Sequence, residues 1–82
     1  MKAFHYVYIL ESLGCAGRYY VGLTDNLKVR LATHNSGGVT HTAKYKPWRI
    51  KTALAFSSRD RASAFETYLK TASGRAFAKK RL

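Results

Sequence analysis

The sequence predicts a small α/β (α+β) sandwich: a three-stranded sheet, antiparallel or mixed, flanked by helices in the order β-β-α-β-α-α. Three observations predict it. Three segments alternate apolar and polar side chains as half-buried strands do. Two longer segments repeat apolar residues at helical spacing. A glycine-bearing segment of about six residues joins the first two strands, which makes them a hairpin. At 82 residues the chain is expected to form one domain, 1–82, with one modest core.

Phe4 to Leu10 alternates aromatic and aliphatic residues and reads as the first strand. Leu13 to Gly17 is a turn whose glycines are free to take positive φ, and Arg18 to Leu23 is the second strand. Thr24 or Asp25 is positioned to cap a helix that runs to about Asn35, and Ser36-Gly37-Gly38 ends it. A polar, basic loop follows from Val39 to Pro47. Trp48 to Phe56 alternates again, with Trp48, Ile50, Leu54 and Phe56 on one side and Arg49 and Lys51 on the other. Ser57 or Ser58 caps a second helix through about Thr71, and a short basic helix spans Gly74 to Leu82.

Charge is the most informative total. Lys and Arg number 15 against 4 Asp and Glu, a net charge of +11. Such an excess costs self-repulsion in the folded state and calls for a polyanion, nucleic acid above all. A membrane surface would need a basic amphipathic helix with a wide apolar face or a lipid anchor, and neither stands out. One cysteine, Cys15, forms no internal disulfide, which fits a reducing compartment. No apolar run approaches a membrane span, and Met1 to Leu10 lacks the pattern of a signal peptide, so a cytoplasmic location is expected. His5, His34, His41 and Cys15 match no usual zinc-ligand spacing.

Two helical stripes carry the wrong residues. Positions 27, 30, 31 and 34 follow the spacing of a buried face; Leu27 and Leu31 belong there, Arg30 and His34 do not. Positions 62, 65, 66 and 69 repeat it, with Ala62, Phe65 and Leu69 joined by Glu66. Charge on an inward stripe is costly unless it is paired or used. Paired, Arg30 and Glu66 would form a buried or boundary salt bridge, with His34 merely hydrogen-bonded; Glu66 could also lie at the stripe's edge. In the hairpin, Tyr6, Tyr8 and Leu10 share one face of the first strand, and Tyr20 and Gly22 one face of the second. Tyrosines there are ordinarily core or edge residues with a wet hydroxyl. A glycine beside one marks a place where another chain or a ligand approaches the backbone.

These residues fall into an ordered set. Tyr6-Val7-Tyr8 is followed by Tyr20-Val21-Gly22, then Leu23-Thr24-Asp25-Asn26-Leu27, Arg30-Leu31 and His34-Asn35-Ser36-Gly37, with Thr42, Pro47-Trp48 and Ala62 to Glu66 followed by Lys70 downstream. The set resembles the GIY-YIG endonuclease superfamily, in particular its small stand-alone bacterial members of the excision-repair-nuclease-like (URI) type, over essentially the whole chain. The resemblance implies a central three-stranded antiparallel sheet flanked by helices, and a Mg²⁺-dependent phosphodiesterase, with Mn²⁺ as a substitute ion. It places Tyr8 and Tyr20 at the two motif tyrosines, Arg30 at the helix arginine, His34 at the following His/Tyr position and Glu66 at the metal-binding glutamate. Tyr6 stands where the family name has glycine, and no asparagine follows Asn35, although some family nucleases carry a late one near the site.

Each residue type suits that chemistry. Mg²⁺ keeps several waters, so one carboxylate, Glu66, with substrate phosphate oxygens can hold it. Arg30 offers a permanently charged fork to the scissile phosphate. Tyr8 is usable as a base only where a bound metal and cationic neighbours favour the phenolate, and His34 titrates nearer neutrality, so the base is Tyr8 or His34. Tyr20 and Gly22 would position the phosphate.

For holding substrate, Gly22, Lys28, Lys44, Lys46 and Lys70 are the candidates. Arg18, Lys28, Arg30 and Lys44 to Lys46 could border one groove, and Arg75, Lys79, Lys80 and Arg81 form a separate C-terminal patch; His41, Thr42 and Tyr45 of the loop could touch substrate. Any one lysine is ordinary solvated surface; together they predict backbone contacts with little base specificity. The reading is an endonuclease of low sequence specificity or structure-selective, acting on DNA in preference to RNA, in repair or recombination, with a protein partner supplying substrate recognition. Its alternatives are a catalytically idle nucleic-acid-binding module of the same fold and an adaptor that binds an acidic partner.

Overall fold

A computed structural model describes residues 3–82. Three strands, β1 (His5–Ser12), β2 (Tyr19–Thr24) and β3 (Trp48–Phe56), form one antiparallel sheet in the order β2-β1-β3. Four helices flank it: α1 (Leu27–Asn35), α2 (Thr40–Ala43), α3 (Arg59–Leu69) and α4 (Ala72–Arg81). The central strand is covered on both faces, which is why Val7, Tyr8, Ile9 and Leu10 are buried one after another. On one face Val7 and Ile9 pack with Ala62 and Leu69 of α3, bordered by Phe65 and Ala78. On the other Tyr8 and Leu10 pack with Trp48, bordered by Leu27, Leu31 and Tyr45.

The expected strand order and antiparallel pairing hold, and the differences are local. β1 starts one residue later than Phe4 and continues to Ser12, because the hairpin closes further out, with Ser12 N–H donating to the Arg18 carbonyl at 3.0 Å. Neither Thr24 nor Asp25 caps α1. Thr24 is still a strand residue opposite Tyr6, and its hydroxyl accepts from the Asn26 N–H at 3.1 Å. That turn delivers Asn26, whose Oδ1 accepts from the Val29 N–H at 3.1 Å, as the cap. Ser58 caps α3 as one of the two expected serines. Thr71 does not end that helix; its hydroxyl accepts from the Gly74 N–H at 3.1 Å and starts α4 two residues before the expected Gly74.

Two features of the α1 side were not expected. The loop after α1 contains the short helix α2, and a clamp locks both helices to β3. Asn35 accepts from the Trp48 N–H at 2.5 Å and donates to its carbonyl at 3.0 Å, while the Trp48 indole N–H donates to the Thr42 carbonyl at 2.9 Å. The second feature is a β-bulge. Ile9 pairs with Thr52 but Leu10 pairs with Ile50, so Lys51 is an extra residue in β3. The bulge reverses the alternation: Trp48 and Ile50 face α1, whereas Leu54 and Phe56, opposite Val7 and His5, face α3. The single face expected for all four is thus split in two.

Candidate active site

Cross-strand partners in an antiparallel pair point to the same face, so the pairing of Tyr8 with Gly22 and with Ala53 defines the centre of the α1 side. A Cβ on Gly22 would collide with the Tyr8 hydroxyl. The space expected for a ligand at Gly22 is therefore filled by the chain's own phenol, and Gly22 serves the site by seating Tyr8. On the β3 side Ala53 and Ala55 are exposed, so the sheet is uncovered just beyond Tyr8.

Tyr8 begins a buried chain of hydrogen bonds. Its hydroxyl lies 3.0 Å from His34 Nε2, and His34 Nδ1 lies 2.8 Å from Thr42 Oγ1. The Thr42 hydroxyl spends its one proton on the Val39 carbonyl at 3.3 Å. Thr42 must then accept from His34 Nδ1–H, which leaves Nε2 bare to accept from Tyr8 O–H. Tyr8, His34 and Thr42 are 1%, 0% and 1% exposed. Thr42 was expected to touch substrate from the loop; instead it is buried and fixes the tautomer of His34.

Burial dominates the electrostatics of this chain. The Tyr8 phenol is pushed up to about 12, first by loss of solvent, then by the neighbouring Tyr20 and Glu66, against the opposing charge of Arg30. Desolvation also pulls the His34 imidazole below its ordinary value, and the Arg30 guanidinium adds to the effect. Both groups are neutral at physiological pH, and Tyr8 holds its proton against His34 as a donor.

The lowered His34 value has a consequence for stability. The unfolded chain binds a proton there near the ordinary value of about 6.5, the folded chain only at lower pH. Between those values unfolding takes up a proton, so acid favours the unfolded state. This contribution is complete above about pH 6.5 and is lost as the pH falls below it. The urea midpoint should drop between about pH 7.5 and about pH 5, and drop less in His34→Gln. Equal slopes in the two proteins would remove His34 as the cause.

The remaining expected residues surround this chain. The Tyr20 ring lies 4.8 Å from His34 and 6.3 Å from Tyr8, half-exposed at the edge strand. Arg30 sits on α1 one turn before His34 with its side chain in solvent, and its charge is felt at both Tyr8 and His34. No Arg30–Glu66 salt bridge forms among the described residues. The Glu66 carboxylate, with 21% of its side chain exposed, instead meets Lys70 at 3.4 Å across one turn of α3. The misplaced charges of the two stripes, Arg30 in solvent and Glu66 partly covered, are thus unpaired with each other, and both are felt at one buried phenol.

Glu66 is also the only carboxylate felt at Tyr8. Glu11 is engaged by Arg49 at 2.7 Å, and the described residues include no cluster of three or more His, Cys, Asp or Glu. A single carboxylate fits only a hard cation that keeps most of its waters and shares the rest with phosphate, and such a cation would have to displace the Lys70 ammonium from Glu66.

Part of the expected basic groove is gathered around Tyr45. Arg18 and Lys44 lie over the Tyr45 ring, 4.5 and 5.4 Å from its centroid. Lys46 reaches back toward Gly37, Lys28 is exposed on α1, and Lys70 pairs with Glu66. The bulged Lys51, which the alternation placed simply outward, stands with Arg18 and the C-terminal cations instead.

Comparison with known proteins agrees with this fold. The GIY-YIG catalytic domain family matches residues 4–81. A UPF0213 protein of Streptococcus pneumoniae serotype 4 (strain ATCC BAA-334 / TIGR4) is 39% identical over 66 residues, which span 79% of this chain and 65% of that protein. The UPF0213 protein BH0048 of Halalkalibacterium halodurans is 38% identical over 72 residues, 87% of this chain and 74% of that one. The solution NMR structure of the UPF0213 protein BH0048 from Bacillus halodurans superposes with a TM-score of 0.56 at 35% identity, covering 93% of this chain and 80% of that chain. With the family match running over residues 4–81 of a β2-β1-β3 antiparallel sheet flanked by helices, the chain belongs to the GIY-YIG family of nuclease domains.

Proposed function

We propose that this domain is a Mg²⁺-dependent endonuclease that hydrolyses phosphodiester bonds in DNA, with low sequence specificity or selectivity for structure, in repair or recombination. The observation that carries the reading is the buried Tyr8–His34–Thr42 hydrogen-bond chain at the centre of the α1 side, with the opposite charges of Arg30 and Glu66 both felt at its phenol. A structural ion pair would have joined the two charges to each other.

Glu66 is the residue that would hold the cation, which when bound supplies positive charge to the phosphate and to the departing oxygen. The guanidinium of Arg30 grips non-bridging phosphate oxygens and stabilises the charge that builds on them during attack. Tyr20, half-exposed, orients the phosphate beside it. Tyr8 is too weak an acid to stand as phenolate near neutrality, but its proton already points at a bare His34 nitrogen. As the attacking water gives its proton to the Tyr8 oxygen, the Tyr8 proton passes to Nε2, and Thr42 keeps the imidazole aligned. Tyr8 and His34 are covered, so that proton reaches them past the half-exposed Tyr20 ring.

Labelled single-stranded, duplex and branched DNA incubated with Mg²⁺ or with EDTA tests the reading. Wild type should cut only with Mg²⁺. Arg30→Ala and Glu66→Gln should each lose about 100-fold or more in rate while binding within a few-fold of wild type in EDTA. Cutting by Glu66→Gln at the wild-type rate would refute the assignment. The Lys70 contact and the high value of Tyr8 favour a second reading, an idle nucleic-acid-binding module, and binding without cutting by wild type would establish it.

A further inference from the structure

A groove of about 990 Å³ lies on the other side of β2, between the strand and the α3–α4 corner. Its floor is apolar, formed by Ile9, Val21, Leu69 and Ala78, and its walls carry five cations: Arg18, Lys51, Lys70, Arg75 and Lys79. They come from four separate parts of the fold, the hairpin loop, β3, the end of α3 and α4. No Asp or Glu lines it. Glu66 meets Lys70 at the rim, Glu11 is held by Arg49, and Asp60 is a full helix length away at the start of α3.

Two details show that the cations are aimed at the groove. Lys51 is the bulged residue of β3, and a bulge re-aims the side chain it inserts; the ammonium crosses to lie 5.5 Å from the ring centre of Tyr19, which is 53% exposed. Arg75 and Lys79 are four residues apart on α4, so they share one helical face with Ala78 beside them. Like charges gathered this way repel unless an anion joins them. Tyr20 belongs to both regions, lining the groove while its ring contacts His34.

We propose that this groove is a second nucleic-acid site, holding the sugar–phosphate backbone of the DNA strand that passes around the β2 edge into the Tyr8–Arg30 pocket. Its position relative to a cut rests on the nuclease reading; the binding itself does not. Cations bind the phosphates without reading bases, and the apolar floor and Tyr19 accommodate the sugar face.

The test is binding of a fluorescent DNA duplex across a salt series in EDTA, where nothing is cut. The double variant Lys51→Gln/Arg75→Gln is compared with Arg59→Gln/Arg61→Gln, which removes equal charge at the far end of α3. Each lost phosphate contact lowers the slope of log K against log salt by about 0.9, so the groove variant should lose about 1.8 and the control much less than one. Equal losses in the two variants, no loss in the groove variant, or no binding by wild type would each overturn the groove. Wild type that binds with the expected slopes yet never cuts would remove the nuclease reading and leave the groove standing. Cutting with unchanged slopes would do the reverse.

Discussion

Tyr8→Phe is expected to lower the cutting rate about 100- to 10,000-fold, the range for loss of a positioned proton-transfer group, in a chain that still folds. The phenyl ring keeps the packing with Leu10 and Trp48, so the structural cost is confined to the lost hydroxyl. That cost is real: His34 Nε2 is left buried without its donor, worth about 1–3 kcal/mol. A companion variant separates chemistry from packing. In Gly22→Ala the new methyl occupies the place of the Tyr8 hydroxyl, so the phenol keeps its proton but must leave His34. A displacement of about 1 Å at a reacting group costs about 100-fold, and Gly22→Ala should lose about that much in single-turnover cleavage with DNA binding in EDTA retained. Full activity in Gly22→Ala would mean that the Tyr8–His34 contact is not used.

That contact also marks the boundary between what was legible in the sequence and what was not. The helical stripe identified His34 as inward, and it is fully buried. The same stripe placed Arg30 inward, but a long stem lets its guanidinium return to solvent, and spacing alone does not distinguish the two outcomes. Glu66 at the edge of its stripe was legible as a residue with a purpose, yet its nearest cation, Lys70, is a local neighbour that the stripe argument passed over. Thr42 was unreadable: α2 is four residues long, shorter than any period can register, and the threonine's role depends on a hydrogen bond across 8 positions to His34.

The bulge was hidden for a different reason. Trp48, Ile50, Leu54 and Phe56 keep an even spacing through Lys51, so the pattern looks unbroken. Both faces of the sheet carry helices over part of β3, and an apolar residue is satisfied against either set. Only the pairing with β1 shows that the register steps by one, and with it that Lys51 belongs to the groove.

Gly74→Ala sets helix propensity against packing, and packing should win by a wide margin. Gly74 lies in the first turn of α4, where alanine would ordinarily gain about 1 kcal/mol over glycine. Here α4 turns back on α3 so tightly that a Cβ would overlap the Tyr68 carbonyl and come within 2.6 Å of the Leu69 Cα. Those are backbone atoms, unable to swing aside as a side-chain tip can. The α3–α4 corner must open, taking Ala78 and Leu82 off the Val7–Ile9–Leu69 core and releasing the bond from the Thr52 hydroxyl to the Leu82 carbonyl. Overpacking of this kind costs about 1–3 kcal/mol or more, and at about 4–8 °C per kcal/mol in a domain of this size the melting temperature should fall by roughly 10–20 °C. Gly17→Ala is the matched control. Gly17 has φ of +83° and nothing within 4 Å of a Cβ, so only the left-handed penalty of about 1–2 kcal/mol applies. Thermal melts followed by far-UV circular dichroism should rank wild type, Gly17→Ala and Gly74→Ala in falling order. A Gly74→Ala protein melting at or above wild type would show that the α3–α4 corner is looser than the structure has it, and with it the wall that carries Arg75 and Lys79.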